Sequence, residues 1–445
     1  MNIQPKAPSF DDSLAQDVEA IKHCLHVIKS GEPVTGGSYL HWSHLGQHTQ
    51  PAYLNLREWW LALKIQRSLG RTELALKDRN QQPFTLGSVE FFAEAIHGLD
   101  RHQSGEAADG EVASRRQHDH LMVEALRDEA IASAQLDGAS VDPQSARELL
   151  RSGHKPQGRD EQMVVNTCHV LARVREIYAE PLTLATLADL HQRLTVGTAM
   201  KGDPSGRLRR ADDLVREEGL AEKWEFKPPP AAELPTRLKA MLAFANGRAP
   251  ERFVHPLLRA AALHFWVLHD QPFAEGNGRL ARALYYWCVL HAGYDFFECL
   301  APSAVLSNSP TAYRRAFHDV LSDENDLMYF AAHLFDAIAK AQRQCREAAT
   351  RWDEELRGTA SLPGANELND RQRLLLAQAL KEPGFRRTLL EHARDHHLVR
   401  QTARHDFAPL VKMGWFEEAK VGRALTFFPA PDLAERVKNF TAKDK

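Results

Sequence analysis

Apolar residues recur at helical spacing through most of the chain between Arg115 and Gln344. Side chains at positions i, i+3, i+4 and i+7 share one face of a helix, so this spacing predicts amphipathic helices. The predicted helices are Leu121–Leu136, Asp160–Tyr178, Leu184–Leu194, Ala232–Asn246, His255–His269, Arg279–Ala292 and Ala312–Leu321. Strand-like alternation occurs in this stretch only near Arg209–Lys227, which predicts one small β-hairpin. Residues 115–345 are therefore predicted to form a mainly α domain.

The segment before this domain, residues 1–114, is predicted to be a helical accessory region. Its stretch Tyr53–Ser68 has helical apolar spacing around Trp59 and Trp60. Large indole rings usually pack into a core, so we expect both tryptophans to be buried rather than to stack on a ligand. The polar, Gly- and Ala-rich run Ser104–Ser114 predicts a loop or linker.

The end of the chain is predicted to be a separate small domain. Gly, Ser, Pro and Asn cluster at Gly358–Asn366, which indicates a linker, placed over residues 346–365. Helical patterns follow at Asp370–Leu380, Arg386–Asp395 and Thr402–Met413, and then two apolar runs flank the turn Lys420–Gly422. Three helices followed by a hairpin predict a winged helix-turn-helix over residues 366–445.

Composition sets limits on the class of protein. The chain has 445 residues, of which 43% are hydrophobic and 26% charged, as in ordinary globular proteins. The formal net charge of -3 gives no global basic field that would attract nucleic acid. Five scattered cysteines without a CxxC pair favour a reducing compartment. Without a secretory start or an apolar run of about 18 residues, we expect a soluble, cytoplasmic protein with no membrane partner.

The stretch from His264 to Leu284 carries the clearest chemistry. An apolar helix leads into a short turn with Gly276–Asn277–Gly278, and a second helix begins near Arg279. Such a turn directs backbone N–H groups and a helix N-terminus into one concavity, which suits a polyphosphate. Arg279 and Arg282 are three positions apart, so they share one helix face and can neutralise two phosphates.

From position 271 to 282 the sequence resembles the Fic family signature, HxFx(D/E)GNGRxxR. The matching positions are Phe273, Glu275, Gly276, Asn277, Gly278, Arg279 and Arg282. The departure is Gln271, which stands where the family has histidine.

Other segments resemble the same family in the order that the family uses. Ser133–Gly138 (SAQLDG) resembles its autoinhibitory motif, except that Asp137 stands where glutamate is usual. Gly206–Val215 resembles the β-hairpin flap that docks the target, and Phe226–Pro230 resembles the strap after it. The resemblance covers about residues 115–345 and implies a mainly α Fic/Fido core with a small hairpin flap, plus the winged helix.

The resemblance also implies a reaction and its residues. Fic enzymes transfer AMP from ATP to a Ser, Thr or Tyr hydroxyl of a protein and release pyrophosphate. The resemblance places the general base at Gln271, Mg²⁺ binding at Glu275 and γ-phosphate binding at Arg282. The other phosphate-binding residues that it implies are Gly276, Asn277, Gly278 and Arg279. It also implies inhibition by Ser133, Asp137 and Gly138, and target docking by Arg209, Leu214 and Val215. An Asp side chain is shorter than Glu by one C–C bond, about 1.5 Å, so a looser pairing of Asp137 with Arg282 is expected.

Gln271 is the weak point of the implied enzyme. A glutamine amide can orient a hydroxyl but cannot accept its proton, and loss of a general base costs on the order of 10²–10⁴ in rate. His269 should point away, because residues two apart lie on different sides of a helix. Three interpretations of Gln271 stay open: a natural loss that leaves a nucleotide-binding pseudoenzyme, an engineered inactivation, or altered chemistry.

The C-terminal segment could contact a further partner. Residues 366–445 carry 15 Lys/Arg against 11 Asp/Glu. The start of the predicted recognition helix has Arg400, Gln401, Thr402, Arg404 and His405, and Lys420 and Arg423 flank the wing turn. Arg and Gln side chains can read base edges, which suits DNA, but a winged helix that docks a protein fits equally well. DNA and a protein partner therefore both stay open, as does a homo-oligomer. His392, His396 and His397 lack further ligands at metal-site spacing, which favours a solvated helix face.

Overall fold

A computed structural model describes residues 7–9, 18–30, 39–68, 70–88, 92–103, 115–199, 205–210, 226–360, 367–382, 384–396, 398–422 and 424–439. The helices in chain order are α1 Val18–Ser30, α2 Trp42–Leu45, α3 Leu56–Ser68, α4 Ala93–Gln103, α5 Arg115–Leu136, α6 Pro143–Ser152, α7 Arg159–Ile177, α8 Leu184–Thr195, α9 Leu234–Ala245, α10 Pro256–Asp270, α11 Asn277–His291, α12 Pro302–Leu306, α13 Pro310–Ser322, α14 Met328–Ala360, α15 Asp370–Lys381, α16 Leu389–Asp395, α17 Arg400–Lys412 and α18 Leu433–Asn439. The strands are β1 Thr72–Lys77, β2 Pro83–Leu86, β3 Arg387–Thr388, β4 Phe416–Val421 and β5 Ala424–Pro429. The fold is mainly α, as the sequence predicts.

The chain divides into two compact units. The first lies within residues 1–106, 128–141 and 156–341, and the second within residues 107–127, 142–155 and 342–445. This division differs from the predicted boundaries, because the start of α5 and all of α6 group with the C-terminal residues. Within the described residues, no helix combines the length and apolar composition that a bilayer span requires.

Helices α10 and α11 are the centre of the first unit. Buried side chains occur all round α10, because its sequence from Pro256 to Asp270 is apolar on nearly every face. Pro256 occupies the first turn, where a missing N–H costs nothing, and the His255 side chain caps the helix by accepting from the Leu257 N–H. Helices α7 and α8 pack beside α11, and α9 packs on α10. The turn between α10 and α11 is thereby enclosed by packed helices.

The N-terminal part of this unit contains a hairpin that the helical prediction missed. Strands β1 and β2 pair antiparallel, and Leu74 and Leu76 of β1 are buried between exposed neighbours. That alternation was present in the sequence but occupies only six residues. Trp59 and Trp60 are each 1% exposed within the hydrophobic core that α1 and α3 form, which confirms their predicted burial.

One predicted segment, the linker, differs from the structure, and a second, the hairpin flap, lies mostly outside the described residues. Helix α14 continues to Ala360, so residues 346–360 are helical rather than part of a linker, with Ala349 and Trp352 buried along one face. The polar composition of this stretch hid its helical spacing. For the predicted hairpin flap, residues 205–210 and 226–230 contain no strand, and residues 211–225, with Leu214 and Val215, lie outside the described residues.

The second unit contains the predicted C-terminal helices and hairpin. Helices α15, α16 and α17 precede β4 and β5, which pair in register from Phe416 opposite Pro429 to Val421 opposite Ala424. The short strand β3 adds to β5, giving the sheet order β3-β5-β4. Phe407, Trp415 and Phe427 fill its core, where the rings of Phe407 and Phe427 stack 3.9 Å apart. The assignment to the winged helix-turn-helix class stays a prediction.

Candidate functional site

The turn between α10 and α11 is fixed by its own hydrogen bonds. Gln271 ends α10 in the left-handed region, with φ 40° and ψ 67°, and its N–H donates to the Val267 carbonyl over 3.0 Å. Asn277 closes the turn from the other side. Its Nδ2 donates to the Phe273 carbonyl over 2.8 Å, and its Oδ1 accepts from the Phe273 N–H over 3.1 Å. Asn277 therefore holds the backbone of the turn, rather than projecting toward a ligand.

The start of α11 forms an anion-binding cradle that holds the carboxylate of Asp137. Asp137 Oδ2 accepts from the Arg279 N–H over 3.0 Å and from Arg279 Nε over 3.3 Å, and Oδ1 accepts from Arg282 Nη2 over 2.6 Å. A free N–H at a helix N-terminus and two guanidinium groups are a favourable environment for an anion. The close contact with Arg282 shows that the shorter Asp side chain still reaches the arginine, so the expected looser pairing is wrong.

Glycine is required at the cradle because the carboxylate approaches the backbone. A Cβ at Gly278 would lie 2.3 Å from Asp137 Oδ1, far inside van der Waals contact. Gly276 adopts φ 73°, where side chains other than glycine are strained. The same bare backbone lets the oxygen of an anion approach the N–H groups.

Ser133 and Asp137 lie at the end of α5 and hold Arg282 together. Arg282 Nε donates to Ser133 Oγ over 2.8 Å, and Nη2 donates to the Ser133 carbonyl over 2.7 Å. Burial acts to lower the pKa of Arg282, but the Asp137 carboxylate raises it, and the net shift is upward. Gly138 follows with φ 93°, which lets the chain turn away after Asp137.

Glu275 lies beside the cradle, and its side chain is 4% exposed. Arg159, the first residue of α7, places Nη2 3.7 Å from Glu275 Oε2 and donates from Nε to the Thr198 carbonyl over 3.1 Å. No group of three or more His, Cys, Asp or Glu side chains in the described part of the chain could hold a metal ion.

His191 of α8 supports the turn and was not anticipated from the sequence. Its ring stacks on Phe273 with 3.6 Å between centroids. Nδ1 accepts from the Gly206 N–H over 3.0 Å, so the other nitrogen carries the proton and donates to the Glu275 carbonyl over 2.9 Å. Burial lowers the pKa of His191 to about 4, which keeps the ring neutral. In the sequence His191 lies on the apolar face of a helix, which gives no signal for this role.

His269 does not serve as a substitute base for Gln271. The Oε1 of Gln271 is buried and has no hydrogen-bond partner among the described residues. His269 is 1% exposed and packs against the rings of Phe84 and Phe265, while its Nδ1 lies 2.9 Å from Asp270 Oδ1. Its ring therefore lies among buried aromatic side chains, in agreement with the expectation that it cannot replace a base at 271.

Arg209 ties the predicted flap to the turn instead of facing a target. Its Nε donates to the Gln271 carbonyl over 2.6 Å, and Nη2 donates to the carbonyls of Pro229 and Asp270. Its backbone N–H donates to the Pro272 carbonyl over 2.9 Å. With 8% of its surface exposed, the Arg209 side chain connects backbone segments rather than docking a ligand.

The second unit has a candidate binding face on α17. Arg400, Gln401, Arg404 and His405 are exposed there, whereas Thr402 is half-buried. The acidic residue of this helix, Asp406, is buried between Arg371 and His392, at 2.6 Å and 2.9 Å. The exposed side of α17 is therefore basic.

The histidines of this unit differ from their prediction. His392 is 1% exposed and packs against Phe407, so it belongs to the core and not to a solvated helix face. Burial lowers the pKa of the neighbouring His396 to about 3. Lys420 of β4 is exposed, and His397 and Arg423 lie outside the described residues.

The sequence is similar to one family and to several curated proteins. Residues 181–289 match the Fic/DOC family. A 163-residue segment is 27% identical to "Protein adenylyltransferase Fic" of Aedes aegypti and covers 36% of this chain and 28% of that protein. A 119-residue segment is 32% identical to "Protein adenylyltransferase and cysteine protease IbpA" of Histophilus somni and covers 26% of this chain and 3% of that protein. The chain thus aligns with less than a third of the length of these relatives.

Two solved structures of bacterial proteins align with this chain. A Fic family protein from Desulfovibrio desulfuricans aligns over 76% of this chain and 96% of its own, with 18% identity and a TM-score of 0.47. A Fic domain containing signaling protein from Bacteroides thetaiotaomicron aligns over 57% and 97%, with 17% identity and a TM-score of 0.48.

Proposed function

We propose, from the match of residues 181–289 to the Fic/DOC family, that the chain is a Fic-type protein adenylyltransferase with a weakened or silenced site. The reaction would transfer AMP from ATP to a Ser, Thr or Tyr hydroxyl of a protein and release pyrophosphate. The observation that carries the proposal is the cradle at the start of α11, where an anion is already held by the Arg279 N–H and two guanidinium groups.

The cradle suits phosphate because it binds a carboxylate with the same donors that phosphate oxygens use. Arg279 supplies a backbone N–H at the helix N-terminus, and Arg282 supplies a planar guanidinium that is 4% exposed. Two buried arginines would be costly without an anion to balance them. In this proposal ATP takes the place of the Asp137 carboxylate and places phosphate oxygens against the same groups.

Asp137 would therefore be inhibitory. Its carboxylate and a nucleotide phosphate cannot occupy the same donors, so the nucleotide must displace it. The carboxylate is part of the chain, which gives it a high effective concentration at the cradle. Removal of Asp137 should strengthen ATP binding, and a segment that draws the end of α5 away would have the same effect.

A divalent cation fits this arrangement only together with the nucleotide. Mg²⁺ takes oxygen ligands and is usually held by one or two carboxylates plus substrate phosphates. The Glu275 carboxylate beside the cradle matches that donor set. A bound ion would supply positive charge to the phosphates, while Glu275 would hold it next to Arg279.

Gln271 limits the chemistry. Its Oε1 is buried without a partner among the described residues, so it can accept a hydrogen bond from a target hydroxyl. It cannot take the proton, and loss of a general base costs on the order of 10²–10⁴ in rate. Arg209 fixes the backbone carbonyl of Gln271, so a histidine introduced here would start from a preformed position.

The test combines two substitutions. We would compare the unmodified chain, Asp137→Ala, Gln271→His and the double variant for ATP binding by calorimetry and for label transfer from ATP to proteins of a cell lysate. Asp189→Asn, which alters an exposed acid paired with Arg193, is the control. We expect Asp137→Ala to bind ATP more tightly and the double variant alone to transfer label strongly. Absence of ATP binding in every form would contradict the proposal that the cradle binds nucleotide phosphates. ATP binding without label transfer in the double variant would contradict the proposal that the chain is an adenylyltransferase.

A second candidate function is a nucleotide-binding regulator that contacts DNA through the second unit. The supporting observation is the exposed side of α17, which carries Arg400 and Arg404 while Asp406 is buried and paired. Binding of duplex DNA should weaken steeply with salt and be lost in Arg404→Ala but not in Arg351→Ala, an exposed residue of α14. Equal binding by both variants, or no binding, would leave a protein partner as the better interpretation for this face.

A further inference from the structure

We propose that Arg159 is a third phosphate-binding cation of this site, in addition to Arg279 and Arg282. No motif includes Arg159, which lies more than 100 positions before the cradle in the sequence. The inference rests on the proposed nucleotide site, because it assigns Arg159 to the phosphates of the same ligand.

The position of Arg159 brings its guanidinium to the cradle. It begins α7, and the hydrogen bond from Nε to the Thr198 carbonyl anchors the side chain beside the end of α8. Nη2 then lies 3.7 Å from Glu275 Oε2. Glu275 and Arg279 flank Gly276, and a Cβ on Gly276 would lie 3.4 Å from Arg279 Nη2. Arg159 and Arg279 therefore approach the same turn from different helices.

Exposure separates Arg159 from the two arginines of α11. The side chains of Arg279 and Arg282 are 0% and 4% exposed and contact Asp137, whereas that of Arg159 is 43% exposed. The separation of 3.7 Å from Glu275 is longer than a good hydrogen bond, so this ion pair is loose. The guanidinium of Arg159 is therefore more accessible to a ligand than those of Arg279 and Arg282.

The charge balance of the site also supports a role for the Arg159 guanidinium. Among the described residues at the cradle, Arg279 and Arg282 face Glu275 once Asp137 is displaced, which leaves one formal positive charge for a ligand with several negative charges. Arg159 raises that to two, which improves the balance for a triphosphate and a divalent cation together. Under this assignment Arg159 pairs with Glu275 while the cradle holds Asp137 and turns to the phosphates when a nucleotide binds.

The competing explanation is that Arg159 only neutralises Glu275. The two explanations differ when the Glu275 charge is removed. If Arg159 binds phosphate, its loss weakens ATP binding whether or not residue 275 is charged. If Arg159 only offsets the carboxylate, its loss has no effect once Glu275→Gln has removed the repulsion.

The experiment measures ATP and adenosine affinity by calorimetry in EDTA, in the Asp137→Ala background that opens the cradle. R159Q is compared alone and combined with E275Q, and R173Q is the matched control, since Arg173 lies on the same helix, is 39% exposed and pairs with Glu176. We expect R159Q to weaken ATP binding about three- to tenfold in both backgrounds, as for a partly exposed charged contact, with adenosine binding unchanged. R173Q should match its parent.

Each contrary result has a distinct meaning. Three results would overturn the assignment of Arg159 while leaving the nucleotide site in place. They are a loss of ATP affinity in R159Q that disappears when E275Q is added, an equal loss of adenosine affinity, and an ATP affinity of R159Q no different from that of R173Q. Failure of the Asp137→Ala chain itself to bind ATP would overturn both proposals. Thermal unfolding of each variant shows whether R159Q leaves the fold intact. If R159Q is destabilised, R159K takes its place. Lysine keeps the positive charge but lacks the planar guanidinium, so we expect R159K to retain only part of the ATP affinity.

Discussion

Asp137 and Arg282 form a buried ion pair, with 2.6 Å between Oδ1 and Nη2, although 145 positions separate them in the chain. Removal of one partner of such a pair leaves an uncompensated buried charge, which is strongly destabilising. The end of α5 and the start of α11 are therefore linked through electrostatics as well as packing. This linkage ties stability to occupancy of the cradle.

The first prediction concerns that linkage. Asp137→Ala should lower the free energy of unfolding by about 3 kcal/mol, because Arg282 loses its counter-ion but keeps its bonds to Ser133. ATP should restore part of the loss by replacing the carboxylate. Urea unfolding with and without ATP measures both effects. A variant as stable as Asp189→Asn, or one that ATP does not stabilise, would contradict this expectation.

Gly278 offers an independent test of how closely the carboxylate approaches. Gly278→Ala places a Cβ 2.3 Å from Asp137 Oδ1, so the carboxylate must move and the stability must fall. In the Asp137→Ala background the clash is absent, and the same substitution should be nearly neutral. A double-mutant cycle of unfolding energies should give a coupling of about 1–2 kcal/mol. Gly98→Ala, with nothing within 4 Å of the new Cβ, is the control, and additive effects would count against the contact.

His191 should make stability depend on pH. Burial lowers the pKa of His191 from 6.5 to about 4. Between these two pH values His191 is therefore protonated in the unfolded chain and neutral in the folded chain. Stability should therefore fall as the pH drops below 6.5, by about 1.4 kcal/mol per pH unit from this group. His191→Gln should flatten the slope of unfolding free energy against pH.

The difference in slope between the unmodified chain and His191→Gln reports on His191 alone. Burial also lowers the pKa of His41, His264 and His396, and their contributions are the same in both chains and cancel in the comparison. His26→Gln changes an exposed histidine and should retain the original slope. A slope unchanged by His191→Gln would show that this ring does not titrate on unfolding.

Arg209 should stabilise the turn rather than bind a target. Arg209→Ala removes a charged donor from the carbonyls of Gln271, Asp270 and Pro229, and we expect a loss of about 2 kcal/mol in unfolding free energy. Urea unfolding provides the measurement, with Arg248→Ala as the exposed control. Equal stability of the two variants would mean that these hydrogen bonds are dispensable.

The sequence predicts the parts of the site that are contiguous in the chain. Helices α10 and α11 and the turn with Gly276 and Asn277 were predicted, because a run of apolar residues, a glycine turn and a second helix occupy one short stretch. His191 and Arg159 were not identified, since each reaches the turn from another helix and its spacing carries no signal. The reach of Asp137 depends on the distance between two backbones, which helical periodicity does not encode.

The left-handed backbone at Gln271 has a consequence for how readily this residue can be exchanged. A residue with a Cβ at φ 40° is strained by about 1–2 kcal/mol, and glycine would relieve that strain. The bend nevertheless persists with glutamine at this position, supported by Asn277 and Arg209 on either side. The backbone geometry at this position is thus separable from the side chain that it carries, and a different residue could be placed here by a single codon change without rebuilding the loop.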